Sequence, residues 1–361
     1  MTQLMKTRVI KVNPTRPDAA AIRQAAEVLR GGGLVAFPTE TVYGLGANAL
    51  DSNAIEGIYR AKQRPASDPV IAHIHHPSEL DSLAIDIPAI ARRLATVFWP
   101  GALTMVLKRA PGVPDNIATG TNTVAIRMPS HPVAQALLIA ANLPIAAPSA
   151  NTFTRPSATT ATHVLEDLDG RIDLLLDGGE TTIGLESTVI DLTGERPIVL
   201  RPGGVLLEHL RAFVPDVMLA PKYMGASGKT DTSEVAAVSP GQMIKHYSPR
   251  AELMLFDGRD MSVVVATMQK SVQRLNAQGK RVGVLAPDEE HLYFAKEAQV
   301  KLLGSRDDLQ AIGHSLFASM RMLDGRDVDV ILVHGFGQDG LGAALWDRLL
   351  RAAEGKVIRV D

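Results

Sequence analysis

Apolar and polar positions along the N-terminal part of the chain change period from block to block. Between residues 18 and 29 apolar side chains recur every three or four positions, as in an amphipathic helix, and the glycines at 31–33 follow as a stop signal. Residues 34–37 are a short apolar run typical of a buried strand. The polar run 38–48 then predicts a loop at the end of that strand, where α/β proteins bind ligands.

Helix-like and strand-like segments continue to alternate after this point. Helices are predicted over residues 53–62, 88–98, 132–141, 161–168 and 205–213. Strands are predicted over residues 70–74, 103–107, 123–128, 144–147, 173–176, 188–192 and 198–200. Many short strands between helices indicate an α/β fold with an open twisted sheet of mixed strand direction, flanked by helices.

The periodicity fades after this first region and then returns. Residues 211–250 contain Pro, Gly, Ser and Lys with little periodicity, which predicts a linker. A second alternation follows, with strands over 252–256, 282–285, 300–303 and 328–333 and helices over 261–276, 309–322 and 343–351. We therefore predict a larger α/β domain over residues 15–210, a linker over 211–250 and a smaller Rossmann-like α/β domain over 251–361.

Composition narrows the class of protein. Apolar residues make up 46% of the 361 positions, which excludes a disordered chain, and two domains suit this length. The chain has no Cys, which excludes disulfides, a thiolate nucleophile and Cys-ligated metals. The N-terminus lacks the apolar core of a secretion signal, and no apolar run approaches the roughly 18 residues of a membrane span, so we expect a cytoplasmic protein without membrane contact.

Three motifs suggest sites but have simpler interpretations. Residues 225–230 end like a phosphate-binding P-loop but lack its first glycine and the preceding strand. The glycines at 335, 337, 340 and 342 follow a predicted strand and precede a helix, which allows an anion loop but favours a close turn. His73, His75 and His76 lack a neighbouring carboxylate at ligand spacing, so a hydrogen-bonding or surface role is favoured over a metal site.

Short polar segments follow the ends of several predicted strands and helices. They are FPTETVYGLG at 37–46, KQRP at 62–65, TVAIRMP at 123–129, APSAN at 147–151, GLEST at 184–188 and LRPGG at 200–204. They supply four cations, Lys62, Arg64, Arg127 and Arg201, together with hydroxyls and amides. Such a set suits a pocket for a polyanion and a small zwitterion, and a nucleoside triphosphate fits the first description.

Taken together, these segments resemble the YrdC-like threonylcarbamoyl-AMP synthase family. The resemblance runs from about residue 18 to 210, includes AKQRP, FWPGALT, VAIRMPSHP and ESTV in the family's order, and implies a YrdC-like sheet. Residues 239–249, SPGQMIKHYSP, are similar to the linker motif of the longer two-domain members. The implied reaction converts L-threonine, bicarbonate and ATP into L-threonylcarbamoyl-AMP and pyrophosphate, for the threonylcarbamoyladenosine modification of tRNA beside the anticodon. The implied partners are these small molecules and the downstream tRNA-modifying machinery, without a stable nucleic-acid complex.

The resemblance also implies roles for individual residues. The residues expected to hold threonine are Thr41, His73, Arg127, Ala147 (through its backbone) and Ser187. Those expected around ATP are Arg64, Asp68, Thr123, Ser149, Asn151, Ser157, Arg201, His246 and Tyr247, and Lys62 and Arg64 are expected to be catalytic. Asp68 departs from the Asn of many members, which leaves its role open. No metal site in the protein and no organic cofactor are expected, and Mg²⁺ is expected to accompany ATP.

An RNA-binding module that acts directly on tRNA or ribosomal RNA is the alternative. A cationic concavity could hold a phosphate backbone as well as a triphosphate. Two features of the composition argue against this alternative. The chain has 37 Lys and Arg and 39 Asp and Glu, a net charge of −2, and aromatic residues that could stack on bases make up only 4% of it.

Overall fold

The protein is described here by a computed structural model that covers residues 6–118, 120–220 and 246–360. Contacts divide the chain into two compact units. The first contains the described residues up to Phe153, then Ala158–Thr182 and the residues from Glu186 to 220. The second contains Thr154–Ser157, Ile183–Leu185 and the described residues from 246 onward. The predicted bounds 15–210, 211–250 and 251–361 stay predictions, and residues 221–245, including the P-loop-like segment and most of the linker motif, lie outside the described residues.

The first unit alternates strands and helices much as its sequence predicts. Its strands are β1 (Arg8–Lys11), β2 (Val35–Phe37), β3 (Gly44–Asn48), β4 (Ile71–His73), β5 (Ala84–Ile85), β6 (Leu103–Arg109), β7 (Thr123–Arg127), β8 (Ile145–Ala146), β9 (Leu174–Asp177), β10 (Thr188–Asp191), β11 (Ile198–Arg201) and β12 (Met218–Leu219). Its helices are α1 (Ala19–Arg30), α2 (Ser52–Lys62), α3 (Leu80–Leu83), α4 (Ala89–Phe98), α5 (Pro132–Ala141), α6 (Ala161–Leu168) and α7 (Leu207–Arg211).

These strands form one twisted sheet of mixed direction, which confirms the predicted fold class. The order is β1-β9-β2-β3-β8-β4-β7-β6-β10-β11-β12, with β5 paired to β6. Parallel pairs such as β4 with β7 stand beside antiparallel pairs such as β6 with β7. Helices cover both faces. In β9, Leu174 and Leu176 pack with α1 and α5, whereas Leu175 packs into the core that contains α2, α4 and α6.

The predicted loop over residues 38–48 is partly wrong, because its second half is the strand β3. Gly44 and Gly46 pair with Phe37 and Val35 of β2. Glycine has low strand propensity, so the segment does not look like a strand. The structure shows why position 46 is a glycine: a Cβ on Gly46 would lie only 2.8 Å from side-chain atoms of both Phe37 and Ile145. Close packing of neighbouring side chains therefore requires glycine in this strand.

Capping positions the polar segments that follow α2. Asp51 caps the helix, and its carboxylate accepts hydrogen bonds from the N–H groups of Asn53 and Ala54. The helix ends at Gln63, which adopts a left-handed conformation with φ 55°. The chain therefore turns sharply between Lys62, in the last turn, and Arg64.

The second unit contains a smaller parallel sheet. Its strands are β13 (Glu252–Gly258), β14 (Val282–Ala286), β15 (Gln299–Leu302), β16 (Val330–His334) and β17 (Val357–Val360), in the order β15-β14-β16-β13-β17. Its helices are α8 (Met261–Ala277), α9 (His291–Phe294), α10 (Leu309–Asp324) and α11 (Leu341–Ala352). Each paired strand is parallel to its neighbour, as in the predicted Rossmann-like domain.

In the described part of the chain, no helix has both the length and the apolar character needed to cross a membrane.

Candidate active site

Strand register in the first unit brings several predicted side chains together. His73 of β4 pairs with Arg127 of β7, and Arg127 pairs with Thr104 of β6. The hydroxyl oxygen of Thr104 lies 2.8 Å from that of Ser187, the residue just before β10. Residues that are far apart in sequence thus meet across three adjacent strands and the start of a fourth.

Arg127 is buried and is held on several edges of its guanidinium group. Its Nε donates to the Gly101 carbonyl at 3.2 Å, its Nη1 to the Thr41 hydroxyl at 2.8 Å and its Nη2 to Glu40 at 2.6 Å. A guanidinium carries five N–H groups. Within the described residues three of them have partners, so one N–H on each of Nη1 and Nη2 remains to bind a ligand. Two such donors match the two oxygens of a carboxylate.

A chain of hydrogen-bonded hydroxyl groups determines whether the Thr41 hydroxyl can donate to a ligand or accept from it. The Thr39 hydroxyl donates its single proton to the Val42 carbonyl at 2.6 Å. The Thr41 hydroxyl lies 2.8 Å from that of Thr39 and must therefore donate to it. Since Thr41 also accepts from Arg127, its oxygen can offer a ligand only a remaining lone pair. Thr41 is thus an acceptor for an ammonium, amine or hydroxyl group.

His73 is a second acceptor in the same region. Burial, together with the nearby positive charge of Arg127, lowers the pKa of its imidazole to about 3. The ring is therefore neutral at physiological pH. Its Nδ1 lies 3.2 Å from the Ile71 carbonyl oxygen, which can only accept, so the proton resides on Nδ1 and Nε2 carries a lone pair.

Lys62 binds the segment that contains Ser149 and Asn151. Its side chain is buried, and its ammonium donates to the main-chain carbonyl of Ser149 and, at 2.5 Å, to that of Asn151. The carbonyl of Lys62 in turn accepts from the N–H of Phe153 at 2.8 Å. The predicted catalytic lysine therefore fixes the backbone of two predicted nucleotide-binding residues.

Arg64 forms a buried ion pair with Asp68. The two side chains are 3% and 0% exposed, and Nη2 lies 2.9 Å from Oδ2. The guanidinium also donates to the carbonyls of Asp68 and Pro69, through Nε and Nη2. Both N–H groups of Nη1 have no partner among the described residues, which leaves them for an anionic ligand. The unexpected carboxylate at position 68 is thus an ion-pair partner of Arg64.

Ser187 is held by Arg201 and by a close backbone approach. Arg201 donates from Nε and Nη2 to the Ser187 carbonyl at 3.2 and 3.0 Å, and from Nη2 to its hydroxyl at 3.2 Å. Gly203 lies so near that a Cβ there would be 2.3 Å from the Glu186 carbonyl oxygen and 2.5 Å from the Ser187 carbonyl carbon. The LRPGG segment therefore positions the predicted threonine-binding serine.

Two further predicted residues of the first unit have specific surroundings. The N–H of Ala147 donates to the Ile71 carbonyl at 2.8 Å, so its carbonyl is the backbone group left for a ligand. The Thr123 hydroxyl, at the start of β7, lies 2.8 Å from the Thr121 hydroxyl. Its contact with ATP stays a prediction.

The remaining predicted residues, Ser157, His246 and Tyr247, belong to the second unit. Ser157 is buried and follows Pro156, whose carbonyl accepts from Arg321 of α10. Tyr247 is fully buried with φ 61°; its ring centroid is 5.2 Å from that of Phe317, and Arg348 lies 5.3 Å from the ring. His246 packs edge-on against Tyr247 at 4.1 Å. Their contacts with ATP stay predictions.

Sequence reasoning missed Glu40, Thr39 and Thr104. Glu40 is the anionic partner of Arg127, and Thr39 and Thr104 are the hydroxyl partners of Thr41 and Ser187. Glu40 and Thr39 lie inside the FPTETVYGLG segment beside Thr41, so their position in a polar run was the available signal. For metals, the described residues contain no group of three His, Asp or Glu arranged to hold an ion.

Comparison with known proteins gives a consistent result. A family model described as telomere recombination matches residues 27–203, and one described as threonylcarbamoyl-AMP synthase, C-terminal domain, matches residues 205–354. A threonylcarbamoyl-AMP synthase of Pyrococcus abyssi is 45% identical over 94% of this chain and 96% of its own length. One of Bacillus subtilis is 42% identical over 94% of each. The crystal structure of P. abyssi Sua5 complexed with L-threonine is 43% identical, covers 98% of this chain and 100% of that one, and superimposes with a TM-score of 0.90.

Proposed function

The chain belongs to the threonylcarbamoyl-AMP synthase family of enzymes, and from this premise we propose that it converts L-threonine, bicarbonate and ATP into L-threonylcarbamoyl-AMP and pyrophosphate. The proposal includes use of the product in threonylcarbamoyladenosine modification of tRNA by other proteins, in the cytoplasm. The relative that was crystallised with L-threonine supports the amino acid substrate.

The observation that carries the proposal is the arrangement of hydrogen-bond donors and acceptors around Arg127. Two N–H donors on its guanidinium suit a carboxylate, while Thr41 and the Nε2 atom of His73 offer lone pairs. An amino acid presents the complementary set: an anionic carboxylate, an amine and, for threonine, a hydroxyl group. Ser187, the residue just before β10, adds a hydroxyl that lies 2.8 Å from that of Thr104.

The first chemical step would form a carbamate. The neutral amine of threonine attacks the carbon of bicarbonate or CO₂, and a nitrogen–carbon bond forms. With bicarbonate, its carbon–hydroxyl bond breaks and the hydroxide leaves as water with one amine proton; with CO₂, one carbon–oxygen π bond opens and the amine proton passes to solvent. With a pKa of about 3, His73 binds a proton too weakly to take it from an ammonium group near neutral pH. We therefore assign His73 to hydrogen bonding of the substrate, and the ammonium proton leaves to another base.

The second step would transfer AMP. A carbamate oxygen attacks the α-phosphorus, an oxygen–phosphorus bond forms, and the bond to the β-phosphate oxygen breaks as pyrophosphate leaves. Phosphoryl transfer depends on alignment and on cations near the developing charge. Arg64 offers its two Nη1 N–H groups for this task, while Lys62 holds the backbone of Ser149 and Asn151.

We further propose that Mg²⁺ enters with the phosphates of ATP. In the predicted nucleotide site, the carboxylate of Asp68 forms an ion pair with Arg64. Because its charge is already balanced by Arg64, this carboxylate does not by itself form a binding site for a cation. The ion would neutralise phosphate charge. Arg64 and Arg201 would contact phosphate oxygens.

Pyrophosphate release tests the proposal. The purified chain is supplied with ATP and Mg²⁺, and threonine and bicarbonate are each added or omitted, with serine as a control amino acid. We expect release only when threonine and bicarbonate are both present. Release that is independent of both would contradict the proposal, and no release together with tight binding of tRNA would favour the RNA-binding alternative.

A further inference from the structure

Glu40 lies next to Thr41 and has no role in the reaction as proposed above. We propose that Glu40 is a positioning residue that orients Arg127 toward the carboxylate of the amino acid substrate. This inference rests on the proposed function. It assigns Glu40 a role in selecting a substrate with a carboxylate, and Glu40 itself does not touch the substrate.

The geometry uses both oxygens of the Glu40 carboxylate. Oε1 accepts from Nη2 of Arg127 at 2.6 Å, and Oε2 accepts from the main-chain N–H of Ser130 at 3.1 Å. Ser130 lies three residues after Arg127, directly after the TVAIRMP segment. Glu40 therefore fixes the guanidinium relative to the backbone that follows β7.

Burial makes this contact specific. The Glu40 and Arg127 side chains are 9% and 4% exposed, so solvent screens their attraction little. The other partners of Arg127 in the described residues, the Gly101 carbonyl and the Thr41 hydroxyl, are neutral. Without an ionic partner at Nη2, the guanidinium can pivot and redirect the two N–H groups that remain for the ligand.

Two substitutions of Glu40 and one control substitution separate a positioning role from a general effect on folding. In Glu40→Gln the side chain keeps its shape but replaces one oxygen by an amide NH₂ group. Both of its neighbours, Nη2 of Arg127 and N of Ser130, are donors, so one of them must face another donor. Glu40→Asp keeps the charge and both acceptors but withdraws them by one methylene group. Glu56→Gln, on the exposed face of α2, is the matched control.

The measurements are the KM for L-threonine in pyrophosphate release and the binding of L-threonine and L-threoninamide, which lacks the carboxylate. We expect Glu40→Gln to raise the threonine KM by about tenfold to a hundredfold, the range for misplacing a binding group by about 1 Å. The preference for L-threonine over L-threoninamide should fall by a similar factor, while the affinity for ATP should change by less than about twofold because the two sites use different cations. Glu56→Gln should behave like wild type.

Two results would overturn the inference while wild-type enzyme still requires threonine. One is a Glu40→Gln enzyme with the wild-type threonine KM. The other is an equal loss of L-threonine and L-threoninamide binding, which indicates a structural role only. If Glu40→Gln does not fold, Glu40→Asp decides by the same comparison, since it keeps the negative charge but moves both acceptor oxygens away from Arg127 and Ser130. Failure of wild-type enzyme to use threonine would instead contradict the proposed function.

Discussion

Lys62 and Arg64 flank the left-handed Gln63 and have different environments. Lys62 donates to main-chain carbonyls of the segment that contains Ser149 and Asn151, whereas Arg64 keeps two N–H groups on Nη1 for a ligand. At the scale of single residues, Lys62 therefore holds the backbone of Ser149 and Asn151, and Arg64 offers a positively charged donor group.

Removal of either cation should slow turnover. We expect Arg64→Ala to lower kcat by about a hundredfold or more, the size of effect seen when a transition-state charge partner is removed. We expect a loss of about a hundredfold or more for Lys62→Ala, because the backbone of Ser149 and Asn151 loses the ammonium that holds it. Since Asp68 is buried against Arg64, Arg64→Ala also leaves a carboxylate without this partner, and the variant's stability has to be measured beside its rate. Near-wild-type turnover in both variants would remove these residues from the mechanism.

His73 makes stability depend on pH. Its pKa falls from 6.5 in the unfolded chain to about 3 in the fold, so the unfolded state binds more protons between these values. The contribution of neutral His73 to the free energy of unfolding is fully present above pH 6.5 and is lost as the pH falls toward 3. One proton corresponds to at most about 1.4 kcal/mol per pH unit.

Denaturant unfolding at pH 6, 5 and 4 checks this expectation. The free energy of unfolding of wild-type protein should fall more steeply than that of His73→Gln, which cannot take up this proton. Parallel pH dependences would show that His73 is not the buried neutral group described above.

At the scale of elements, β11 and the LRPGG segment place Ser187. We expect Gly203→Ala to cost about 1–3 kcal/mol of stability, since its Cβ would meet backbone atoms of Glu186 and Ser187 rather than a flexible side chain. The threonine KM should rise with it, because Ser187 must move. Thermal unfolding and threonine kinetics measure both effects.

Gly112→Ala is the matched control for this prediction. A Cβ at Gly112 has no neighbour within 4 Å, so the same substitution should change stability by less than about 0.5 kcal/mol there. Equal effects at the two glycines would contradict the packing argument.

The elements also show how far the sequence could predict the structure. The helix α1 could be predicted because burial of one face makes apolar residues recur every three or four positions. The strand β6 could be predicted because burial of both faces gives a continuous apolar run. The glycine-rich β3 does not, since its strand conformation is set by neighbours in the sheet. Glu40 could not be assigned to Arg127 because the two are 87 positions apart and no local pattern links them.

At the scale of the whole molecule, the charges nearly balance and the chain forms two compact units. The net charge of the chain is −2, and the predicted site cations Lys62, Arg64, Arg127 and Arg201 are all buried. The second unit includes Thr154–Ser157 and Ile183–Leu185, short segments that flank Asn151 and Ser187 in sequence. Arg155 forms an ion pair of 2.9 Å with Asp324 at the end of α10, and Arg321 donates to the carbonyl of Pro156.

In the proposed reaction, the carbamate of threonine becomes joined to AMP. The most direct measurement is mass spectrometry of the reaction mixture with ¹³C-bicarbonate, ATP and L-threonine. We predict a nucleotide adduct that contains both threonine and AMP and carries the ¹³C label, formed together with pyrophosphate. Consumption of ATP without a labelled adduct, under conditions in which such an adduct is stable, would contradict the proposed reaction.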